Sequence, residues 1–232
     1  MIIGLSPESK NPIALFNLFY SMKHSFILLF ILVNCFTDMQ AQVKSKVVGV
    51  YSLEGVMETA SGFKLNEDSI FEFYYSYGAL DRYGSGKWSI KNDSVVFNNK
   101  PFPGKDFKIV DSSLIKNSYT TIKIEDQNPA FYRFVYCFFK TPKGDTLLNA
   151  DDNGIIILPN KTDTINLLFE LSAERISTFL IKNSRYNSYT FNFEPWAVEV
   201  FFKGFVLNYV QGHLEGKHPL LEDKKYTYKK EE

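Results

Sequence analysis

From Lys46 to the C-terminus no long stretch places apolar residues at helical spacing; the chain is a succession of short β-prone runs divided by turn residues. Lys46–Tyr51, Gly62–Leu65 and Ile70–Tyr77 come first, the last introduced by the polar cluster Asn66–Ser69. Gly84 and Gly86 precede Lys87–Ile90, and Lys91–Asp93 turns into Ser94–Phe97. Each run can pair with its sequence neighbour through a tight turn, so a meander is predicted, with Phe107–Val110 after Pro101, Pro103 and Gly104 as its last strand. The reading is all-β, and it leaves room for a helical turn only at Ser172–Arg175.

Composition narrows the function classes. An apolar content of 45% and an aromatic content of 16% belong to a globular chain. Twenty-six basic residues against 26 acidic ones leave no net charge, so the basic footprint of a nucleic-acid binder is missing. Two cysteines and three histidines are too few for a disulfide scaffold or a zinc framework, and no cofactor is expected.

Ahead of the β-prone region lies a leader pattern. Met22-Lys23-His24 precedes the apolar run Phe26–Val33, and the polar stretch that follows offers Ala41 as the last residue of a signal peptide spanning residues 1–41. A start at Met22 accounts for the second apolar stretch, Ile13–Tyr20, being cut off by Ser21–Ser25. A membrane span from Ile13 to Phe36 would have to bury Lys23, at about 2.5–3.5 kcal/mol, so export to the periplasm or beyond is expected over a retained anchor. Cys35 offers a lipidation alternative, against which Asn34 is too large a preceding residue.

A second block follows Lys116–Ser118. Tyr119–Ile124, Phe131–Lys140, Thr146–Asn149, Ile155–Leu158, Asp163–Leu171, Ile176–Ile181 and Tyr189–Glu194 read as strands, Phe131–Lys140 as a central one covered on both faces. On Gly49-Val-Tyr51, Ile70-Phe-Glu-Phe73, Gly86-Lys-Trp88 and Asp93–Phe97, residues 46–110 resemble the small lipocalin-like domains of secreted bacterial proteins. On Ile122–Asp126, Phe134–Phe139, Asp152-Asn-Gly154 and Ile156–Pro159, residues 118–193 resemble the prealbumin-like sandwich called the carboxypeptidase regulatory-like domain. Residues 194–232 are then further strands packed on the β-domains, and the whole resembles a family of uncharacterised secreted two-domain β proteins, with an exposed linker near Ser112–Ser118.

No motif points to catalysis. Asn149–Gly154 has calcium-loop spacing, but Asn160 stands where a bidentate Glu belongs, so a β-turn is the preferred reading. Gly84–Lys87 lacks the hydroxyl residue of a phosphate loop and reads as a turn. His213 and His218 are spaced against sharing a metal, and no Gly-x-Ser-x-Gly elbow serves either. Cys137 sits in an apolar run as a small buried hydrophobe. Lys224, Lys225, Lys229 and Lys230 read as edge guards.

One surface remains as a binding candidate: Tyr74, Tyr77, Tyr83 and Trp88, with Asp81 and Arg82 as polar groups in a Ser76-to-Gly86 turn. Alternation sends Phe71, Phe73, Tyr75 and Tyr77 to one face and Glu72, Tyr74 and Ser76 to the other. The expected function is non-enzymatic binding of a small molecule, glycan, lipid or protein. A structural module of envelope assembly and an enzyme with an unfamiliar site are the alternatives.

Overall fold

The computed structural model describes residues 44–78, 80–141, 144–182 and 184–232. The leader, with its start at Met22, its cleavage after Ala41 and the lipidation alternative at Cys35, lies outside them. The chain divides into two units between Val48 and Gly49. The described part of the first is one helical turn at 44–47, closed by the Val48 N–H donating to the Lys44 carbonyl. No helix among the described residues is long and apolar enough to cross a membrane.

The second unit is all-β. Its strands are β1 (Gly49–Leu53), β2 (Thr59–Leu65), β3 (Ile70–Tyr77), β4 (Leu80–Lys91), β5 (Ser94–Asn98), β6 (Phe107–Ser113), β7 (Thr120–Ile124) and β8 (Val135–Thr141). They continue as β9 (Gly144–Asn149), β10 (Ile155–Leu158), β11 (Thr164–Phe169), β12 (Ile176–Leu180), β13 (Ser188–Phe193), β14 (Lys203–Val210), β15 (His213–Gly216) and β16 (Tyr226–Lys230).

Eight strands close a barrel in the order β1-β2-β3-β4-β5-β14-β15-β16, with β16 returning to β1. Every neighbouring pair is antiparallel, so this is an up-and-down barrel whose fifth and sixth strands are separated in sequence by everything from Asn99 to Phe202. Eight strands leave an interior that side chains can fill, and aromatic rings fill it. Tyr51, Phe63, Phe71, Phe73, Phe97 and Tyr228 are buried, and Phe63 contacts Phe97 at 4.7 Å and Phe73 at 5.0 Å between ring centroids. β3 shows how the sequence does this: Phe71, Phe73 and Tyr75 point inward while Glu72 and Tyr74 point out.

The intervening strands form two four-stranded sheets, β10-β7-β13-β6 and β12-β11-β8-β9. Ile122, Ile124, Ile156, Leu158 and Phe191 from the first and Val135, Cys137, Ile165, Leu167 and Phe169 from the second share one core, which makes the pair a sandwich. β13 runs parallel to β7 and antiparallel to β6.

Three sequence readings change. Phe107–Val110 does not end the meander: β6 pairs with β13 of the sandwich, because Phe107 is buried in the sandwich core. The chain therefore leaves the barrel at Asn99, earlier than the expected linker near Ser112–Ser118, and Ser112 and Ser113 are paired strand residues. Phe131–Phe134 is not strand but part of a 3-10 turn, Pro129–Phe134, started by the Asn128 side chain accepting from the Ala130 N–H. That turn is longer than the one at Glu170–Ser172, and β8 after it buries Val135 and Cys137 on one face only. Finally, the expected Ser76-to-Gly86 turn is mostly strand. β3 and β4 pair from Ile70↔Lys87 to Tyr77↔Leu80, so Gly84–Lys87 lies in the ladder.

Candidate functional site

Strand direction alternates around the barrel, so the turn at Gly78, the β15–β16 loop (217–225) and both crossings to the sandwich meet at one end. The two glycines of β4 belong to this junction. A Cβ on Gly84 would stand 2.8 Å from both the Phe202 ring and the Val200 carbonyl oxygen, and one on Gly86 would stand 2.3 Å from the Asn98 carbonyl. Gly86 makes room for the chain leaving the barrel and Gly84 for the chain returning from the sandwich, whose Val200 N–H donates to the Tyr83 carbonyl at 2.7 Å.

Two arginines tie the junction. Arg82, 4% exposed on the inward face of β4, gives a two-pronged pair to the Glu174 carboxylate of the sandwich, at 2.6 and 3.1 Å. Burial alone would raise the Glu174 carboxyl; the hydrogen bonds and charge of Arg82 outweigh it and hold the group below the ordinary range. Arg175 donates from Nε to Asp106 at 2.9 Å and from its other nitrogens to the Glu199 and Ala197 carbonyls at 2.7 Å each. Asp106 is 1% exposed; burial raises its pKa against the pull of Arg175, and its Oδ1 has no hydrogen-bond partner among the described residues.

Beside the Arg82–Glu174 pair opens a cleft of about 340 Å³. Tyr75, Leu80 and Arg82 of the barrel form one wall, Leu171, Ala173 and Glu174 of the sandwich another, and Pro219–Leu221 of the β15–β16 loop the third. Glu170 also borders it, its carboxylate accepting from the Tyr136 hydroxyl at 3.1 Å. This is a small recess of mixed lining, in which leucines stand beside the charged groups of Arg82, Glu170 and Glu174, at a boundary between two β-bodies, where ligand sites concentrate. No family model, curated protein or solved structure matches the chain. The cleft's chemistry must therefore be read from its own side chains.

The loop that forms the third wall is fixed from within. Burial holds the His218 imidazole down at about 4, so it is neutral. The Leu220 N–H donates to Nδ1 at 3.0 Å, which leaves the proton on Nε2 to donate to Ser61 Oγ at 3.0 Å; the Ser61 hydroxyl donates onward to the Tyr74 carbonyl at 2.8 Å. His213 stands on β15 and takes no part in that chain.

The six residues singled out from sequence are divided by the sheet itself. Tyr74, Asp81 and Tyr83 stand on the outer face of the barrel, where Tyr74 and Tyr83 are cross-strand partners. Tyr74 lies across Gly62 and its hydroxyl meets Ser52 Oγ at 3.1 Å, which ties the ring to the wall. Tyr77 is exposed at the strand end. Arg82 and Trp88 point inward, Trp88 donating its indole N–H to the Asn66 carbonyl at 3.1 Å, far along β4 from Arg82. Of the six, Arg82 alone lines the junction cleft. Glu174, Leu171 and Pro219–Leu221 were not anticipated; the charged pair Glu174-Arg175 inside an otherwise β-prone stretch was the visible signal for that wall.

The remaining motifs resolve locally. Asp151 accepts from the Asn153 and Ile155 N–H groups at 2.9 and 2.8 Å, a turn closed on its own backbone between β9 and β10. Cys137 is fully buried, and burial pushes its thiol up to about 11, far from a reactive thiolate.

Proposed function

We propose that this chain is an exported, non-catalytic binding protein that holds a small, largely apolar ligand in the cleft between barrel and sandwich. The observation that carries the reading is the convergence of Tyr75, Leu80, Leu171 and Leu221 on the ion pair of buried Arg82 with the half-exposed Glu174, in a recess of ligand size. Export enters through the leader pattern at Met22–Ala41. The finer fold assignments belong to the same proposal: lipocalin-like for the barrel, supported by its up-and-down order, and prealbumin-like for the four-on-four sandwich. Neither assignment carries the function, which rests on the cleft.

The test is native mass spectrometry of the purified protein against glycan, lipid and small-metabolite pools, repeated with Ala173→Trp, which places an indole in the recess. Retention of one chemical class, lost in Ala173→Trp at an unchanged melting temperature, supports the reading. Retention of nothing, or retention indifferent to Ala173→Trp, returns the junction to a purely structural role in which the sandwich is a spacer.

A further inference from the structure

The barrel wall is not sealed along its whole height. β14 begins at Lys203, yet its ladder to β15 covers only Asn208–Val210, and β15 stops at Gly216 before the chain turns through Lys217–Pro219. Gly216 still lies against Leu207, and beyond that contact the two walls part and leave an open cleft of about 660 Å³. Its floor is aromatic. Phe205 is half-buried, with its ring 5.5 Å from Phe202 and 6.0 Å from Phe97, and Phe201 and His218 complete the lining.

The rim is net positive. Lys217 is paired with Asp223 at 2.7 Å, whereas Lys203 has no carboxylate within ion-pair distance among the described residues. Two lysines and one carboxylate leave one positive charge over an apolar floor. A strand from another chain is a poor occupant. The β14 edge is bulged between Lys203 and Phe205, where Gly204 adopts φ +62°, and the opposite rim includes Pro219, which has no N–H to give.

We propose that this seam binds an amphipathic monoanion, a carboxylate carried on a single apolar chain, with Lys203 Nζ holding the carboxylate and Phe205 and Phe201 covering the chain. The site is separate from the junction cleft: Pro219 borders both, and the charged and aromatic groups of the seam are its own.

The probe is dodecanoate below its micelle concentration, titrated calorimetrically into the purified protein, with dodecyltrimethylammonium and 1-dodecanol in parallel. Dodecanoate is expected to bind at one site and to outbind the alcohol, with a preference that fades at high salt. Lys203→Ala should weaken it about fivefold, the scale of one exposed ion pair, and Lys203→Arg should restore it. Lys203→Glu should shift preference toward the ammonium amphiphile. Ala173→Trp should leave dodecanoate binding intact, so failure of the junction reading and failure of this one are distinguishable. No dodecanoate binding, equal binding of all three probes, indifference to Lys203→Ala, or loss in Ala173→Trp would each overturn the proposal.

Discussion

Two buried ionisable residues, His218 and Asp106, each carry a testable consequence for stability. His218 is neutral in the fold, with its imidazole held at about 4 by burial, while an unfolded chain would bind a proton near 6.5. The unfolded state thus takes up the proton first, so the His218 contribution to stability is complete above about pH 7 and is lost as the pH falls from 6.5 through 4. The loss is roughly 3 kcal/mol by pH 4. Denaturant unfolding of wild type and His218→Gln across that window checks it: the variant should show a flatter dependence on pH. Asp106 and Arg175 form the second case. Asp106 is 1% exposed, so Arg175→Ala strands an uncompensated carboxylate and should cost about 3–5 kcal/mol at neutral pH. Part of that loss should be relieved in Arg175→Ala/Asp106→Asn, measured in the same unfolding assay; equal stability of the single and double variants would show that the buried charge is not the cause.

At the scale of elements, β4 shows where local pattern and long-range packing part company. Gly84→Ala puts a methyl 2.8 Å from the Phe202 ring and from a backbone oxygen of the returning chain, and overpacking of that kind costs about 1–3 kcal/mol. Ser85→Ala, on the exposed face of the same strand, should leave the melting temperature nearly unchanged. Glycine spacing alone reads as a turn, since nothing near Gly84 in sequence announces that Val200 and Phe202 will lie against it. The alternation of Phe71, Phe73 and Tyr75 with Glu72 and Tyr74 was legible because inward and outward faces are decided within one strand. β6 was legible as a strand, but its partner β13 arrives some 80 residues later, and β-propensity carries no address. The 3-10 turn at Pro129 had a local signal, Asn128-Pro129, which the apolar run after it obscured. Of the junction cleft only Arg82 was anticipated, because its walls come from three segments that meet through topology and share no motif.

At the scale of the molecule, the sandwich occupies a hairpin of the barrel. β5 and β14 are paired from Asn208↔Ser94 up to Lys203↔Asn98, and the pairing continues one step beyond both strands. The Asn99 N–H donates to the Phe202 carbonyl at 3.0 Å, and the Phe202 N–H donates to Asn99 Oδ1 at 2.8 Å. Asn99 and Phe202 are therefore positioned as the last pair before a turn, with Lys100–Phe201 inserted where two residues would suffice. Replacing Lys100–Phe201 by Asn-Gly keeps Phe202, which packs at 5.1 Å from Phe71 inside the barrel, and closes all eight strands in sequence order. We expect that shortened chain to fold cooperatively with a β circular dichroism spectrum and native-like burial of Trp88. It should be less stable than the full chain, since Arg82 loses Glu174 and the carbonyls of Val198 and Glu199. It should also lose the wall formed by Leu171, Ala173 and Glu174, and with it any ligand held at the junction. Failure to fold would mean that the sandwich holds the barrel closed through the two arginines; the barrel would then be only half of one cooperative unit, and Arg175→Ala should melt both bodies together in a single transition.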